Sequence, residues 1–284
     1  MASSRDRFVL ITGCGQGGIG HALAKNFVQN GLNVIATLLP YEAREHLDHP
    51  RIHVFDLDVT REEDVVSLKK QVEDITGGRL DVLVNNAGIC YTMTAADTDV
   101  RQVEKMFAVN VFGPMRMVHH FHRMLIPAKG VVVNIRSIGG VCPYVFGASY
   151  NASKAALHHY GNTLRVEMKH LGVRVINVIS GEVSTNILKS DIRDSRALPL
   201  DSIYTPLSDA FKAHINRTPD TMTPDEYAKG VVAMVLQGSS PAWFWHGNAT
   251  TLVRTLDAFF PRTIWDWLFS RWFNLETLRE VAPK

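Results

Sequence analysis

Residues 8–27 read FVLITGCGQGGIGHALAKNF, and three kinds of local structure follow one another within them. Phe8 to Thr12 is a short apolar run of strand composition. Gly13-Cys14-Gly15-Gln16-Gly17-Gly18-Ile19-Gly20 is a glycine-rich turn, after which Ile19, Ala22, Leu23 and Phe27 recur at helical spacing. Strand, bare turn and helix N-terminus together let backbone approach a pyrophosphate, with unbonded helix N–H groups facing the anion. Glycines also make ordinary turns, so this reading calls for a second strand after the helix. Asn33 to Thr37, NVIAT, supplies it.

The residues beyond that strand would meet an adenosine ribose. A carboxylate there binds the 2′-hydroxyl of NAD, whereas Arg takes the 2′-phosphate of NADP. Leu38-Leu39-Pro40 offers neither, and Arg44 lies a few residues on. The missing carboxylate removes a repulsion, so NADP is the expected cofactor and NAD the less favoured.

The alternation continues down the chain. Ile52 to Phe55 reads as a third strand ending in Asp56-Leu57-Asp58-Val59, and Thr60 with Glu63 reads as a capping box for a helix to about Ile75. Leu80 to Val84 is a fourth strand ending in Asn85-Asn86-Ala87-Gly88, and one helix is expected from Asp97 to Leu125, carrying Asn110-Val111-Phe112-Gly113. Val131 to Ile135 and Val173 to Ile179 are the fifth and sixth strands. Strands alternating with helices at this spacing predict an α/β fold with a doubly wound parallel sheet, its ligands beyond the strands' carboxyl ends. The glycine turn, Asp58, Asn85–Gly88 and Ser137 all fall at such ends.

The candidate chemistry lies in Ser137 to Lys154, SIGGVCPYVFGASYNASK. Helical spacing from Asn151 to Leu171 sets Tyr150 and Lys154 one above the other on one face. A free phenol titrates near pH ~10, and a cation close by favours the phenolate and lowers that value. Such a Tyr is a usable general acid or base. Ser137 ends the fifth strand, where its hydroxyl could polarise a carbonyl.

With 284 residues, 46% hydrophobic and 20% charged, the chain has the composition of a globular protein with one large core. Thirty basic against 28 acidic side chains, without a block of like charge, leave no electrostatic footprint for nucleic acid. Cys14, Cys90 and Cys142 are an odd number without a CxxC, which suggests a reducing compartment and neither a disulfide framework nor a zinc site. His119, His120 and His122 fall on a helix without a carboxylate at ligand spacing, so no metal is expected. MASSRDR passes straight into the first strand without the apolar segment of a signal peptide, and no run of ~20 apolar residues follows. There is no G-x-S-x-G elbow to make Ser137 an acyl nucleophile.

In order and spacing, Thr12 to Gly20, Asn85-Asn86-Ala87-Gly88, Asn110, Ser137 and Tyr150-x-x-x-Lys154 resemble the short-chain dehydrogenase/reductase family, over about residues 7 to 187. The resemblance implies a Rossmann fold and hydride transfer between a nicotinamide cofactor and a carbonyl or alcohol. It implies Tyr150 as proton donor, Lys154 lowering its pKa and holding the nicotinamide ribose, Ser137 orienting the carbonyl, and Asn110 supporting a proton-relay water. Besides Tyr150 and Lys154, the implied cofactor contacts are Gly13, Gly15, Gly18, Ile19 and Gly20 in the turn and Asp58 and Val59 at the adenine. Asn85, Ala87 and Gly88 would run along the adenosine ribose, and Gly181, Val183 and Thr185 would close over the carboxamide. Three departures stand out: one extra residue in the glycine turn, Ser180 where a Pro is usual, which would loosen that turn, and Arg136 beside the Ser. Arg136 either points away from the site or meets an anionic substrate.

Residues 1–188 thus read as the Rossmann core, 189–249 as a substrate lid with the last helix and strand of the same domain, and 250–284 as an aromatic amphipathic extension. Pro199, Pro206 and Pro219 interrupt a short helix around Ser208 to Ile215; Thr223-Pro224-Asp225-Glu226 opens a helix to about Gln237, and Ala242 to His246 could be a last strand. From Thr251 to Phe273 the chain is dense in aromatics (Phe259, Phe260, Trp265, Trp267, Phe269, Trp272, Phe273), with Arg254, Arg262 and Arg271 among them. Such a segment packs over a substrate pocket, forms a dimer or tetramer interface, or lies in a membrane interface. This tail, with FPR-x-x-W-D-W and the TGC-x-x-GGIG turn, is similar to fungal reductases of the 1-acyldihydroxyacetone-phosphate reductase type, whose relatives include secondary-metabolite ketoreductases. The resemblance implies an NADP(H)-dependent ketoreductase or alcohol dehydrogenase for a bulky apolar lipid or secondary-metabolite carbonyl. It also implies a cytoplasmic protein, peripheral at the endoplasmic reticulum or lipid-droplet surface, and a homo-oligomer. The alternative is a silent NADP-binding sensor or scaffold, which has no need of Asn110, Ser137, Tyr150 and Lys154 together.

Overall fold

A computed structural model describes residues 6–185, 187, 197–217, 221–239 and 241–280. Seven strands, β1 (Phe8–Ile11), β2 (Asn33–Leu38), β3 (Ile52–Asp56), β4 (Val82–Asn85), β5 (Val131–Ile135), β6 (Arg174–Ser180) and β7 (Trp243–His246), form one parallel sheet in the order β3-β2-β1-β4-β5-β6-β7. The winding reverses between β1 and β4. A crevice therefore opens at their carboxyl ends, where an open α/β sheet takes its ligand. Val9, Leu10 and Ile11 are wholly buried, because both faces of the sheet are covered and each strand must be apolar throughout.

The described helices are α1 (Ile19–Gln29), α2 (Glu62–Thr76), α3 (Val100–Phe107), α4 (Gly113–Ala128), α5 (Ala148–Lys169), α6 (Ser208–Asn216), α7 (Pro224–Leu236), α8 (Thr250–Phe259) and α9 (Ile264–Trp272). On one face, α1 and α7 bury Leu23, Phe27, Tyr227 and Val231 against the sheet; on the other, α2, α4 and α5 bury Leu68, Phe121 and Leu164. A third apolar cluster joins Cys142, Phe146, Phe211, Trp265, Phe269 and Phe273, so α6, α8 and α9 cap the carboxyl end of the sheet rather than its faces.

The Thr223–Glu226 capping box is present, with both reciprocal hydrogen bonds. The one expected at Thr60 is not. The Thr60 hydroxyl donates to Asp58 Oδ1 at 2.7 Å instead, and α2 begins after Arg61 without a side-chain cap. A carboxylate two residues back competes successfully for a short polar side chain. The single helix expected from Asp97 to Leu125 is also interrupted. Asp99 caps α3, and a π-helical turn, Ala108–Phe112, separates α3 from α4. Asn110 sits in that turn, and one-turn π insertions of this kind are frequent at functional sites.

A row of polar side chains crosses the apolar sheet. Asn85 on β4, Asn134 on β5 and Asn177 on β6 are in register. Their amides bond in series, Asn85 Nδ2 to Asn134 Oδ1 at 2.9 Å and Asn134 Nδ2 to Asn177 Oδ1 at 3.2 Å. Asn162 on α5 continues the row and is itself held by the Trp243 indole at 2.7 Å. Each amide of the row makes at least one hydrogen bond, and the Asn85 Oδ1 is the one buried oxygen of the row without a partner among the described residues.

Candidate active site

The glycine turn is clamped to the loop after β4. Gly13 has φ 71°, and a Cβ there would stand 2.9 Å from Ala87 Cα. The Asn86 amide donates to the carbonyls of Thr12 (2.9 Å) and Gly13 (2.8 Å), while the Thr12 hydroxyl accepts the Asn86 and Ala87 N–H groups at 3.0 Å. A Cβ on Gly20 would lie 2.2 Å from the Gly13 carbonyl oxygen, so the first turn of α1 can sit against the loop only without a side chain. This bare cradle at a helix N-terminus is the shape and polarity that a dinucleotide pyrophosphate requires.

Beyond it opens a cleft of about 1620 Å³. Gly13, Gly15, Gly18, Ile19, Asp58, Val59, Ala87, Gly88, Ser137, Tyr150, Lys154, Gly181, Val183 and Thr185 all line it. Gly20, Asn85 and Asn110 do not. Gly20 works from beneath the turn. The Asn85 amide Nδ2 donates to Asn134 inside the sheet, and its neighbour Asn86 lines the cleft. Asn110 is buried, with Oδ1 accepting the Ile89 N–H at 2.9 Å and Nδ2 donating to the Ile89 carbonyl (2.9 Å) and the Ser153 hydroxyl (3.1 Å). It therefore fixes the chain just past Gly88, where a Cβ would be 3.3 Å from Asn110 Oδ1 and 3.6 Å from Lys154 Nζ.

Tyr150 lies in the first turn of α5 and Lys154 one turn on, its Nζ 5.5 Å from the centre of the Tyr150 ring. Lys154 is 4% exposed and donates to the Ile135 carbonyl at 3.3 Å. Burial pulls its pKa down to about 8, with Arg136 pulling the same way and Cys90 opposing. The Ser137 hydroxyl accepts the Gly139 N–H at 3.0 Å and hydrogen-bonds the Tyr150 phenol. The expected lowering of the phenol's pKa is not what this environment produces. Burial, reinforced by Cys90, pushes it well above its ordinary value, and the Ser137 hydrogen bond only partly offsets that. Like an unperturbed phenol, Tyr150 is protonated at neutral pH and can donate.

Arg136 contributes to the cleft lining, yet its guanidinium packs beneath α5. It is 1% exposed, and its three guanidinium nitrogens have no hydrogen-bond partner among the described residues. It fits beneath α5 because residue 161 is Gly, where a Cβ would lie 2.0 Å from its Nη2. Burial takes its pKa down to about 9. Ser180 does not loosen its turn: it is buried at the end of β6 and shares a hydrogen bond with the Tyr227 hydroxyl. His120 does meet a carboxylate, Glu62 Oε1 at 2.5 Å, yet no group of three metal-ligating side chains occurs among the described residues.

The far wall of the cleft is apolar, built by Tyr144, Trp265, Leu268, Phe269 and Phe273. Tyr144 meets Phe269 and Phe273 edge-on, with ring centres 5.5 and 5.3 Å apart. Arg217, also in the lining, is bound to Glu182 at 2.6 Å and lies 5.8 Å from the Tyr144 ring centre. Sequence reasoning passed over Tyr144, Cys90, Asn86 and Glu42. Only Asn86 carried a local signal, through its place in Asn85-Asn86-Ala87-Gly88.

The family model described as short chain dehydrogenase matches residues 7–196. The chain belongs to that family. The short-chain dehydrogenase RED1 of Pyricularia oryzae is 74% identical to it over 279 residues, covering 98% of each chain. An NADPH-dependent 1-acyldihydroxyacetone phosphate reductase of Schizosaccharomyces pombe is 37% identical over 261 residues, 88% of each. A crystal structure of a short-chain dehydrogenase from Streptomyces avermitilis superposes with TM-score 0.77 at 25% identity, covering 99% of this chain and all of that one. This short-chain dehydrogenase is thus an oxidoreductase, and the glycine cradle and the Tyr150–Lys154 pair line the same cleft.

Proposed function

We propose that this short-chain dehydrogenase moves a hydride between a nicotinamide cofactor and a bulky, apolar ketone or secondary alcohol, with Tyr150 as proton donor. The observation that carries the reading is that the phenol, the Ser137 hydroxyl and the Lys154 amine stand where the glycine cradle meets an aromatic wall. When bound, the dinucleotide supplies or accepts the hydride. The chain's own part in a reduction is to hold the carbonyl oxygen at Ser137 and Tyr150, deliver the phenolic proton to it, and keep water out. In oxidation the same side chain, as phenolate, takes the proton back.

The apolar wall supports a neutral substrate, a lipid or secondary-metabolite carbonyl, over an anionic one. Arg254, Arg262 and Arg271 are exposed and outside the lining, Arg136 is buried beneath α5, and Arg217 is engaged by Glu182. For the cofactor, the printed name of the Schizosaccharomyces pombe relative supports NADP(H). A second reading, NAD(H), is favoured by Glu42, whose carboxylate lines the cleft beside Gly15, past the end of β2. Purified protein incubated with either reduced cofactor and a panel of neutral aryl and alkyl ketones, with acyl-dihydroxyacetone phosphate alongside, tests the activity. Tyr150→Phe should abolish turnover while dinucleotide binding persists. Wild-type turnover by that variant, or no ketone consumed by the native protein, overturns the reading.

Phe259 (81% exposed), Phe260, Trp267 and Trp272 project from α8, α9 and their junction, with Arg254, Arg262 and Arg271 beside them. That face suits a peripheral place on an anionic lipid surface, at the endoplasmic reticulum or a lipid droplet. Homo-oligomers are the other occupant we expect. Flotation with phosphatidylserine vesicles and light scattering separate the two: co-flotation lost on Phe259→Ser supports the lipid surface, and a dimer or tetramer without vesicle binding rejects it.

A further inference from the structure

Tyr150, Lys154 and His158 follow one another along α5 at the spacing of one helical turn, so an imidazole lies just beyond the amine on the same helix face. It is buried. The carboxyl end of β5 runs past this face and is met there by three turns of the helix. Lys154 donates to the Ile135 carbonyl, the Arg136 guanidinium lies under Gly161, and the His158 ring hydrogen-bonds the Ser137 backbone.

The contact leaves no slack. A Cβ on Gly140 would stand 2.9 Å from the Lys154 carbonyl carbon, 3.0 Å from the Ala155 nitrogen and 3.0 Å from His158 Nε2, so the turn Ile138–Gly140 lies directly on the backbone of α5. Ser137 caps that turn, its hydroxyl accepting the Gly139 N–H and bonding the Tyr150 phenol. Where the Ser137 backbone sits therefore decides where its hydroxyl points. Burial, reinforced by Arg136 and Lys154, takes the His158 pKa down to about 3, so the ring is neutral and has a single N–H to give. Nε2 has no partner among the described residues, which leaves Nδ1 to donate to the Ser137 carbonyl. Trp243 on β7 packs against the ring, centres 5.4 Å apart, and gives its own N–H to Asn162.

Resting on the hydride-transfer reading, we propose that His158 is a positioning residue for that reaction: its neutral imidazole donates from Nδ1 to the Ser137 carbonyl and so holds the Ser137 hydroxyl at the Tyr150 phenol, where the substrate carbonyl is received. His158 is outside the cleft lining and acts through Ser137. Losing this bond leaves the proton donor and the cradle intact but lets the carbonyl drift from its attack geometry, and small misplacements of that kind are costly in rate.

Two measurements on the full chain test the assignment. In the first, the native protein, His158→Asn and His158→Leu are assayed with a reduced dinucleotide and a ketone that the native protein accepts. Asn sets an amide N–H close to the place of the imidazole Nδ1–H, whereas Leu fills similar space without a donor. Leu should lower kcat by about tenfold or more while the ketone KM and the dinucleotide affinity stay within about threefold, and Asn should restore most of the loss. In the second, two-bond proton–nitrogen correlation spectra of isotope-labelled protein identify the His158 ring by its loss in His158→Asn. That ring should carry its proton on Nδ1 and show no titration between about pH 5 and about pH 8. The spectra need only the native and Asn proteins, so they decide the matter should the Leu variant not fold. A Leu variant with native kcat, a folded Asn variant no faster than Leu, or a His158 ring that is protonated on Nε2 or titrates in that range overturns the proposal while hydride transfer stands. If the native protein reduces no ketone with either NADPH or NADH, the hydride-transfer reading falls and the positioning role falls with it.

Discussion

Replacing Lys154 by Met should leave the protein inactive but more stable at neutral pH, and the size of that gain follows from where the amine sits. Its pKa falls from 10.5 to about 8 because it is buried beside Arg136. Each unit is worth about 1.4 kcal/mol, so keeping Lys154 charged in the fold costs about 3 kcal/mol at pH 7. The unfolded chain holds this proton up to its ordinary pKa and the folded chain only to about 8. In between, the unfolded state binds more protons, and stability rises with pH. The cost is therefore complete below about pH 8, about 2 kcal/mol at pH 9 and nearly gone at about pH 10.5. Met keeps the side-chain length and removes the charge, but loses the hydrogen bond to the Ile135 carbonyl, worth about 1 kcal/mol. The variant should gain about 2 kcal/mol at pH 7 and about 1 at pH 9, then become slightly less stable than the native protein above about pH 10. Urea unfolding of both proteins without dinucleotide, followed by tryptophan fluorescence across this range, measures the difference; titrations common to the two cancel. A variant less stable at pH 7, or a difference that does not change between pH 7 and pH 10, would refute the reasoning.

Two further outcomes are expected. Asn134→Ala leaves a buried amide donor on Asn85 and an acceptor on Asn177 without partners, which should cost about 2 to 4 kcal/mol in chemical denaturation; a loss under about 0.5 kcal/mol would mean the amide row contributes nothing net. Gly20→Ala drives a methyl group into the Gly13 carbonyl and the Asn86 amide, so it should weaken dinucleotide binding by about tenfold or more in calorimetry. Unchanged affinity would show that the cradle does not need this close contact.

The apolar strands, the glycine turn and the order of the strand-end residues were legible in the chain, because each is a matter of neighbours: a strand buried on both faces is apolar throughout, and turn and cap chemistry spans a few residues. Tyr150 and Lys154 belong to the same class, since one helical turn suffices to align them. The failures have another origin. Local spacing pairs Thr60 with Glu63, yet Asp58 holds its hydroxyl; periodicity predicts one helix from Asp97 to Leu125, yet the contacts of Asn110 with Ile89 and Ser153 accompany a π turn. Only the folded chain sends Asn85 into an amide row, tucks Arg136 under Gly161, folds α8 and α9 over the cleft and lays Glu42 over Gly15. Those placements rest on contacts between residues tens of positions apart, decided by which side chains fit together once the sheet has closed and not by local spacing. Chemistry carried by adjacent residues was therefore written in the sequence. The sign of the Tyr150 shift and the approach of Glu42 to Gly15 arose from burial and close packing, which exist only in three dimensions.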